Sequence, residues 1–239
     1  MTTSARPRLC LLPGLDGTGR LYAPLQDALS AHADIEVLAY DSTRFHDYPT
    51  LADALAPALE RHRDGVLVTE SFAGPLGVLL AHRYPERIRA LVMAASFVRP
   101  PLPLSGAAAA LLQRLPAVAP PLFALEHLLA GSGLPPPLRA EFEAIVATLP
   151  FQVMRQRALA ALRVDVTREL ASLQVPLLYL QARQDRLVWP RAGREVLRLA
   201  HTAHHAVIDA PHFLFQMAPI PAATEIRRLL DCLRRDACR

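Results

Sequence analysis

Short apolar runs alternate with longer segments of helical periodicity along most of the chain. Six such runs predict strands, at Arg8–Leu12, Ile35–Tyr40, Val66–Thr69, Ile88–Ala94, Val175–Leu180 and Ala206–Ile208. Helices are predicted between and after them, at Leu21–Ala31, Thr50–Arg63, Phe72–Arg83, Arg191–Leu199 and Pro219–Leu233. This alternation is typical of parallel sheets with helices on both faces, and unbroken apolar strands are typical of burial on both sides. The sequence therefore predicts an α/β fold, doubly wound around a mostly parallel sheet of about six strands.

One region interrupts the alternation after the fourth predicted strand. Between residues 98 and 170 no convincing strand occurs, and repeated prolines separate short helical patterns. The strongest helices there are predicted at Leu122–Ala130, Arg139–Leu149 and Phe151–Arg163. We therefore predict an α/β core formed by residues 1–97 and 171–239, with residues 98–170 inserted as a helical cap.

Composition excludes several classes of function. All 26 basic residues are arginine, so chemistry that needs a lysine, such as Schiff-base formation or a phosphate-binding P-loop, is impossible. The net charge of +4 is scattered along the chain rather than gathered in a basic run, which argues against nucleic-acid binding. The N-terminal residues lack the apolar core of a signal peptide, and no stretch is a good transmembrane span. The default expectation is a cytoplasmic location.

Ser71 is the candidate nucleophile. It lies in the segment TESFAG, directly after the third predicted strand and at the start of a helix, with small residues at Thr69 and Ala73. A serine on a sharp strand-to-helix turn needs small neighbours at these two positions so that the chain can pass. The alternative is that Ser71 merely caps the helix, which is a common role for serine.

A glycine-rich loop, LPGLDGTG, follows the first predicted strand. It lacks the Gly-Lys-Ser/Thr of a P-loop, and Tyr22 stands where a dinucleotide fingerprint needs a third glycine, so no cofactor is expected. The loop is a candidate oxyanion loop, in which the backbone N–H groups of Leu15 and Phe72 would bind a developing oxyanion. The alternative is a turn-rich connection without a chemical role.

An aspartate and a histidine each follow a later predicted strand. Asp185 lies in QARQDRLV and His212 in DAPHFLF, and each residue taken alone has a structural explanation, as a helix cap or a loop histidine. A cluster of three histidines, His201, His204 and His205, lacks the further ligands of a metal site and is expected to be solvent-exposed, so no metal is expected. Ser71, Asp185 and His212 nevertheless occur in the chain order of a Ser-Asp-His triad, and each follows a strand. Together they predict a catalytic triad.

These motifs resemble those of the α/β-hydrolase superfamily, near its BioH-like carboxylesterases. The segments LPGLDGTG, TESFAG, QARQDRLVWP and DAPHFLFQMAP carry the resemblance over nearly the whole chain, and PGLDGTG with ESFAGP is also similar to phytyl-ester synthase-type acyltransferases. The resemblance implies that Ser71 is the nucleophile, His212 the general base and Asp185 the residue that orients it, with Leu15 and Phe72 in the oxyanion hole. Thr69 and Ala73 replace the two usual glycines, and Pro13 replaces a common histidine. The first strand corresponds to the family's third, so the usual antiparallel edge strands are not expected.

The predicted reaction is cleavage of a carboxylic ester or thioester through an acyl-enzyme, without metal or cofactor. The substrate is expected to be a small molecule with an apolar acyl or alcohol part, or an acyl group held on a carrier. The apolar cap suggests a pocket for it, with Leu112, Phe123, Leu128, Phe142 and Val153 as candidate lining residues, although each of them is equally expected to pack the cap onto the core. Two alternatives stay open, namely acyl transfer to an alcohol and a non-catalytic binding protein of the same fold.

Overall fold

All six strands form one parallel sheet. The computed structural model describes residues 6–61, 64–114 and 120–235. Its strands are β1 (Arg8–Leu12), β2 (Asp34–Val37), β3 (Gly65–Glu70), β4 (Ile88–Ala94), β5 (Leu177–Ala182) and β6 (Ala203–Ile208). Their order is β2-β1-β3-β4-β5-β6, and every neighbouring pair is parallel. The predicted parallel sheet of six strands is confirmed, and the described residues contain no antiparallel strand.

Helices cover both faces of the sheet. A 3₁₀ turn (Arg20–Tyr22) leads into α1 (Ala23–Leu29), and α11 (Pro219–Arg234) packs beside α1 on one face. The other face carries α2 (Tyr48–Glu60), α3 (Ala73–Arg83), α8 (Thr167–Ala171) and α9 (Pro190–Leu199). In β1, Leu9 and Leu11 are buried under the first layer, while Cys10 and Leu12 are buried under the second. Side chains alternate between the faces of a strand, so the apolar run fills both layers at once.

Four strands differ from their predicted extents: β3 is longer by one residue at each end, β5 lies two residues later, and β2 and β6 differ by three residues at one end. β2 ends at Val37 rather than at Tyr40, because the chain turns away from the sheet and the amide of Tyr40 instead bonds the carbonyl of Gly17, at 3.0 Å. β6 begins at Ala203, three residues earlier than predicted, because its first residues lie at the sheet edge and carry the exposed side chains of His204 and His205. Because these residues at the sheet edge are exposed, they do not continue the apolar run on which the prediction depended.

The region between β4 and β5 is helical, as expected. It contains α4 (Ser105–Arg114), α5 (Leu122–Ala130), α6 (Pro136–Thr148) and α7 (Phe151–Ala161), followed by α8, and no strand among its described residues. The sequence predicted α5, α6 and α7 but missed α4 and α8. Leu170 of α8 is fully buried in the core layer of α2 and α3, so we propose that a cap would comprise α4–α7 alone. We call α4–α7 the helical segment.

The helical segment lies against the start of α1 and the histidine loop. A separate apolar cluster joins α5 and α6 to Leu21 before α1, and Phe213, the residue after His212, packs edge-to-face on Phe142 with ring centroids 5.7 Å apart. The amide of Phe213 also donates to the carbonyl of Leu129 in α5, at 2.8 Å. The helical segment is therefore anchored directly beside the candidate histidine.

Candidate active site

Ser71 occupies a strained turn between β3 and α3. Its φ of +52° lies in the left-handed region, which a residue with a side chain rarely adopts. The turn is held on both sides, because the amide of Ser71 donates to Ala94 at 2.9 Å and its carbonyl accepts from Gly74 at 3.0 Å and from the Ser96 hydroxyl at 2.6 Å. Such overdetermined strain is typical of functional sites. Ser71 is followed by α3, whose N-cap is Phe72 rather than Ser71, so it is not the capping residue.

Thr69, which stands in place of the usual glycine, is accommodated against α3. A Cβ on Gly77 would lie 2.5 Å from the Thr69 methyl, and a Cβ on Gly74 would lie 1.8 Å from the Ser96 hydroxyl. The buried Thr69 hydroxyl donates to the Val92 carbonyl at 2.8 Å. Gly77 of α3 therefore leaves the space that the Thr69 side chain occupies, and the Thr69 hydroxyl is satisfied by the neighbouring strand.

His212 connects Ser71 to Asp185. Its Nε2 lies 2.8 Å from the Ser71 Oγ, and its Nδ1 lies 3.0 Å and 2.8 Å from the two carboxylate oxygens of Asp185. Three residues that are 27 to 141 positions apart in the chain thus form one continuous hydrogen-bonded series. With Asp185 as an acceptor at Nδ1, the proton of a neutral imidazole belongs on Nδ1, which leaves Nε2 free to accept the proton of Ser71.

Asp185 is held in place by its own loop. One carboxylate oxygen accepts from the amides of Leu187 and Val188, both at 2.8 Å. The helix that follows, α9, has Trp189 as its N-cap, so Asp185 does not cap a helix. Its carboxylate is thus oriented by two main-chain donors while it also faces the imidazole.

Charge around His212 tunes its basicity. Burial disfavours the imidazolium and by itself lowers the pKa, but the charge of Asp185, the hydrogen bond to it and the nearby Glu70 carboxylate raise it. The balance leaves the pKa of His212 above its ordinary value. An imidazole with this pKa is a stronger base towards a serine hydroxyl than a free histidine.

Glu70 is a site residue that the sequence analysis missed. It directly precedes Ser71, lines the cavity at the site and accepts hydrogen bonds from the Phe215 amide at 3.4 Å and the Gln216 side chain at 3.0 Å. Both donors belong to α10 (Leu214–Met217), which follows His212. Burial raises the pKa of Glu70 to about 7, against these hydrogen bonds and the attraction of His212. Its position between the small residues of the motif gave no sequence pattern that marks it as buried.

Both predicted oxyanion residues belong to segments that border the site. Leu15 borders the same cavity as Ser71 and His212, and Phe72 is the residue after the nucleophile. No group of the described residues accepts a hydrogen bond from the backbone amide of either one. Two such amides are available to bind an oxygen of a ligand at Ser71.

The loop that carries Leu15, residues 13–19, is held by side chains from other parts of the chain. The Tyr40 hydroxyl donates to the carbonyls of Pro13, at 2.7 Å, and of Gly14. Arg157 of α7 donates to the carbonyls of Leu15 at 2.9 Å and Asp16 at 3.1 Å. Neither Tyr40 nor Arg157 was expected to belong to the site, because a lone tyrosine and a lone arginine in helical or strand patterns carry no sequence motif.

A cavity of about 360 Å³ opens onto Ser71 and His212. Apart from Asp16, Glu70, Arg155, Gln216 and the two triad residues, its walls are mostly apolar and come largely from the helical segment. Three of the five proposed lining residues, Leu112, Leu128 and Phe142, line it. The other two predictions are wrong, because Phe123 is 72% exposed to solvent and Val153 is buried away from the cavity.

Three histidines lie at or directly before the edge strand β6. His201, His204 and His205 are exposed, and the described residues hold no group of three His, Cys, Asp or Glu side chains that could bind a metal ion. Across residues 6–61, 64–114 and 120–235, no helix is long and apolar enough to span a membrane.

The model of the alpha/beta hydrolase family matches residues 11–222, and the chain belongs to this family. No curated protein matches it in sequence.

Solved structures of low sequence identity share the fold. The enol-lactonase from Burkholderia xenovorans LB400 is similar with a TM-score of 0.80 and 17% identity, over 97% of this chain and 94% of that one. A thermophilic esterase from Thermogutta terrifontis has a TM-score of 0.77 and 19% identity, over 96% and 91%. An esterase from Exiguobacterium antarcticum has a TM-score of 0.80 and 12% identity, over 94% and 92%. The α/β-hydrolase fold predicted from the motifs is thereby confirmed.

Proposed function

We propose that this protein is a serine hydrolase that cleaves a carboxylic ester or thioester with a neutral, apolar acyl or alcohol part. The observation that carries the proposal is the hydrogen-bonded series from Ser71 through His212 to Asp185, which opens onto an apolar cavity. The names of the similar structures, an enol-lactonase and two esterases, are compatible with ester chemistry. Ser71 is the nucleophile, His212 the general base and Asp185 the residue that orients it.

The reaction begins at the Ser71 Oγ, 2.8 Å from His212 Nε2. As the oxygen attacks the acyl carbonyl, its proton passes to Nε2, and Asp185 stabilises the imidazolium through Nδ1–H. The tetrahedral intermediate collapses when His212 returns that proton to the leaving alcohol or thiol, which leaves an acyl-enzyme on Ser71. Water then attacks the acyl-enzyme by the same steps in reverse and releases the acid.

The negative oxygen of each intermediate is bound by the amides of Leu15 and Phe72. Both amides are available, and Leu15 borders the cavity where the carbonyl would lie. Fixed main-chain donors need no reorganisation when charge develops, and removal of one such donor costs ~10²–10³-fold in rate.

The cavity limits the kind of substrate. Its walls favour a hydrocarbon chain or ring, and a volume of about 360 Å³ suits a small molecule. Asp16 and Glu70, the latter directly before Ser71, border the cavity, and in their ionised forms they would repel a second carboxylate on the acyl group. We therefore propose a substrate that is neutral close to the scissile bond. An acyl chain presented by a carrier is also compatible with this cavity.

The proposal is tested with p-nitrophenyl esters of increasing acyl length, and with the corresponding monoesters of dicarboxylic acids as charged analogues. The wild-type protein is expected to hydrolyse the neutral esters and to disfavour the charged ones. Ser71→Ala is expected to lose on the order of 10⁶-fold in kcat. Stoichiometric labelling by a fluorophosphonate, present in the wild type and absent in Ser71→Ala, would establish the covalent step independently of substrate choice.

Two outcomes would redirect the assignment. If Ser71 is acylated but little acid forms, and an added long-chain alcohol is converted to its ester, the same triad performs acyl transfer. If the folded wild type neither turns over esters nor reacts with the fluorophosphonate, the serine-hydrolase proposal is wrong and the binding-protein alternative takes its place.

A further inference from the structure

Arg157 is a buried cation that the triad chemistry does not use. It lies on α7 with no solvent exposure, and among the described residues it forms no ion pair. Its guanidinium instead donates to four main-chain carbonyls, those of Leu15, Asp16, Asp41 and Arg44. Burial lowers its pKa, and its Nε has no hydrogen-bond partner. Such a group is costly to bury, so its partners indicate what it stabilises.

The first partner of interest is Tyr40. The guanidinium carbon of Arg157 lies 5.0 Å from the centre of the Tyr40 ring, within the range of a cation–π interaction. The hydroxyl of the same tyrosine donates to the Gly14 carbonyl. Because the described residues contain no cis peptide, the N–H of Leu15 points away from that carbonyl within one rigid plane. A fixed Gly14 carbonyl therefore fixes the direction of the Leu15 N–H.

The next peptide plane is held by Arg157 itself. Its Nη1 donates to the Leu15 carbonyl at 2.9 Å and to the Asp16 carbonyl at 3.1 Å. Each of the two peptide planes that meet at Leu15 is thus held by a side chain, one by Tyr40 and the other by Arg157. Within the loop, the Gly14–Leu15 plane has one further main-chain hydrogen bond, from the Gly17 amide to the Gly14 carbonyl at 3.2 Å, whereas the Leu15–Asp16 plane has none and depends on Arg157.

Gly17 allows this arrangement. Its φ is +79°, and a Cβ there would lie 2.8 Å from the Tyr40 ring and 2.9 Å from the Arg157 Nη1. The loop therefore approaches both side chains as closely as a bare backbone permits.

We propose that Arg157 is a positioning residue of the active site, which holds the 13–19 loop so that the Leu15 amide faces the oxygen formed at Ser71. This inference rests on the proposed serine-hydrolase function and adds a residue outside the triad. Arg157 acts through the loop and does not touch the substrate. The helix α7 also lines the cavity through Phe151, Met154 and Ala158. The same helix would therefore contact the acyl group and, through Arg157, hold the Leu15 amide in position.

The test compares three variants with a matched control. Arg157→Met keeps an unbranched stem but removes the guanidinium and all its donors, and Arg157→Lys keeps the charge but loses the planar fork that reaches several carbonyls. Tyr40→Phe removes only the hydroxyl that binds Gly14. Arg163→Met is the control, because Arg163 is exposed just beyond α7. Active sites are titrated with a fluorophosphonate, so that rates refer to folded, reactive protein.

A loss of oxyanion positioning has a specific kinetic pattern. Arg157→Met is expected to lower kcat by ~10²-fold per titrated site with little change in KM, because misplacement of a catalytic group affects the transition state and not substrate binding. The affinity for an alkyl boronic acid, whose tetrahedral adduct carries a negative oxygen, should weaken by a similar factor. Arg157→Lys and Tyr40→Phe should show the same pattern to a smaller extent, and Arg163→Met should match the wild type.

Other outcomes overturn the inference. If kcat and boronate affinity per active site are unchanged in the variants that fold, Arg157 has only a structural role. The same conclusion follows if stability falls while both quantities stay constant. Should Arg157→Met fail to fold, Arg157→Lys and Tyr40→Phe decide the question by the same two measurements. A wild type that neither turns over esters nor binds the boronate contradicts the proposed function itself, and the role of Arg157 fails with it.

Discussion

The serine turn and the 13–19 loop border the same cavity but are held in different ways. The serine turn is fixed by its own sheet, since Ser71 bonds Ala94 at the end of the neighbouring strand and Gly74 in the helix that follows. The 13–19 loop depends on side chains that come from distant parts of the chain, chiefly Tyr40 and Arg157. The position of the nucleophile is therefore fixed by the sheet and the helix next to it in the chain. The position of the Leu15 amide depends instead on contacts with side chains that are distant in sequence.

This difference separates two kinds of change. Substitutions in the triad remove a chemical step and should act on kcat without altering the surrounding structure. Substitutions around the 13–19 loop leave every chemical group present and act through geometry, so their effects should be smaller and should depend on the helical segment. The following predictions test this contrast, from the largest expected effect to the smallest.

Asp185→Asn tests the triad side. An asparagine can keep the hydrogen bonds from the Leu187 and Val188 amides, but its NH₂ group would donate to His212 Nδ1 and favour the wrong tautomer. We expect kcat to fall by roughly 10⁴-fold with an unchanged fold. Steady-state kinetics and thermal unfolding of the variant check this, and a loss of less than tenfold would mean that Asp185 does not orient the imidazole.

Gly17→Ala tests the loop side. The new Cβ would collide with Tyr40 and Arg157 at a positive φ, so the loop must move and the Leu15 amide with it. We expect kcat to fall by ~10²-fold while fluorophosphonate labelling of Ser71 still goes to completion.

Gly106→Ala is the matched control for that variant. Gly106 lies in α4, and no atom is within 4 Å of a Cβ built on it. This substitution should leave kcat unchanged and slightly stabilise the protein, because alanine favours helix over glycine. Equal activities of the two glycine variants would contradict the role assigned to the loop.

Leu128→Trp tests the cavity formed by the helical segment. A larger side chain at this lining position should shorten the acyl chain that fits, so kcat/KM for long-chain esters should fall by about tenfold relative to short-chain esters. Phe123→Trp is the control, since Phe123 belongs to the same helix but is exposed. An unchanged chain-length profile in Leu128→Trp would place the acyl group outside this cavity.

Glu70→Gln tests whether the charge of Glu70 contributes to the basicity of His212. His212 must be neutral to accept a proton, and its pKa lies above the ordinary value of 6.5, in part because of the Glu70 charge. The acid limb of the kcat/KM profile should therefore lie above pH 6.5 in the wild type and move to lower pH in Glu70→Gln. Glu60→Gln, the same change at an exposed position at the end of α2, should leave the profile in place.

Much of the fold was predictable because its signals are local. Double-sided burial makes each central strand an unbroken apolar run, as in β1 and β4, whose predicted limits agree with the structure. Prediction was weaker where the environment changes along an element. The edge strand β6 exposes His204 and His205, and α4 is an alanine-rich helix that lies between proline-containing stretches.

The sequence by itself determined the positions of Ser71, Asp185 and His212, because each of them follows a strand and parallel strands bring their carboxyl ends to one edge of the sheet. Only the tertiary structure decided which distant side chains complete the site. The pKa of Glu70 is raised because the folded chain buries its carboxyl group, beside α10. Arg157 reaches the 13–19 loop only because α7 packs against that loop. Burial and long-range hydrogen bonds depend on what packs against a residue, and the residues that do so are more than 140 positions away.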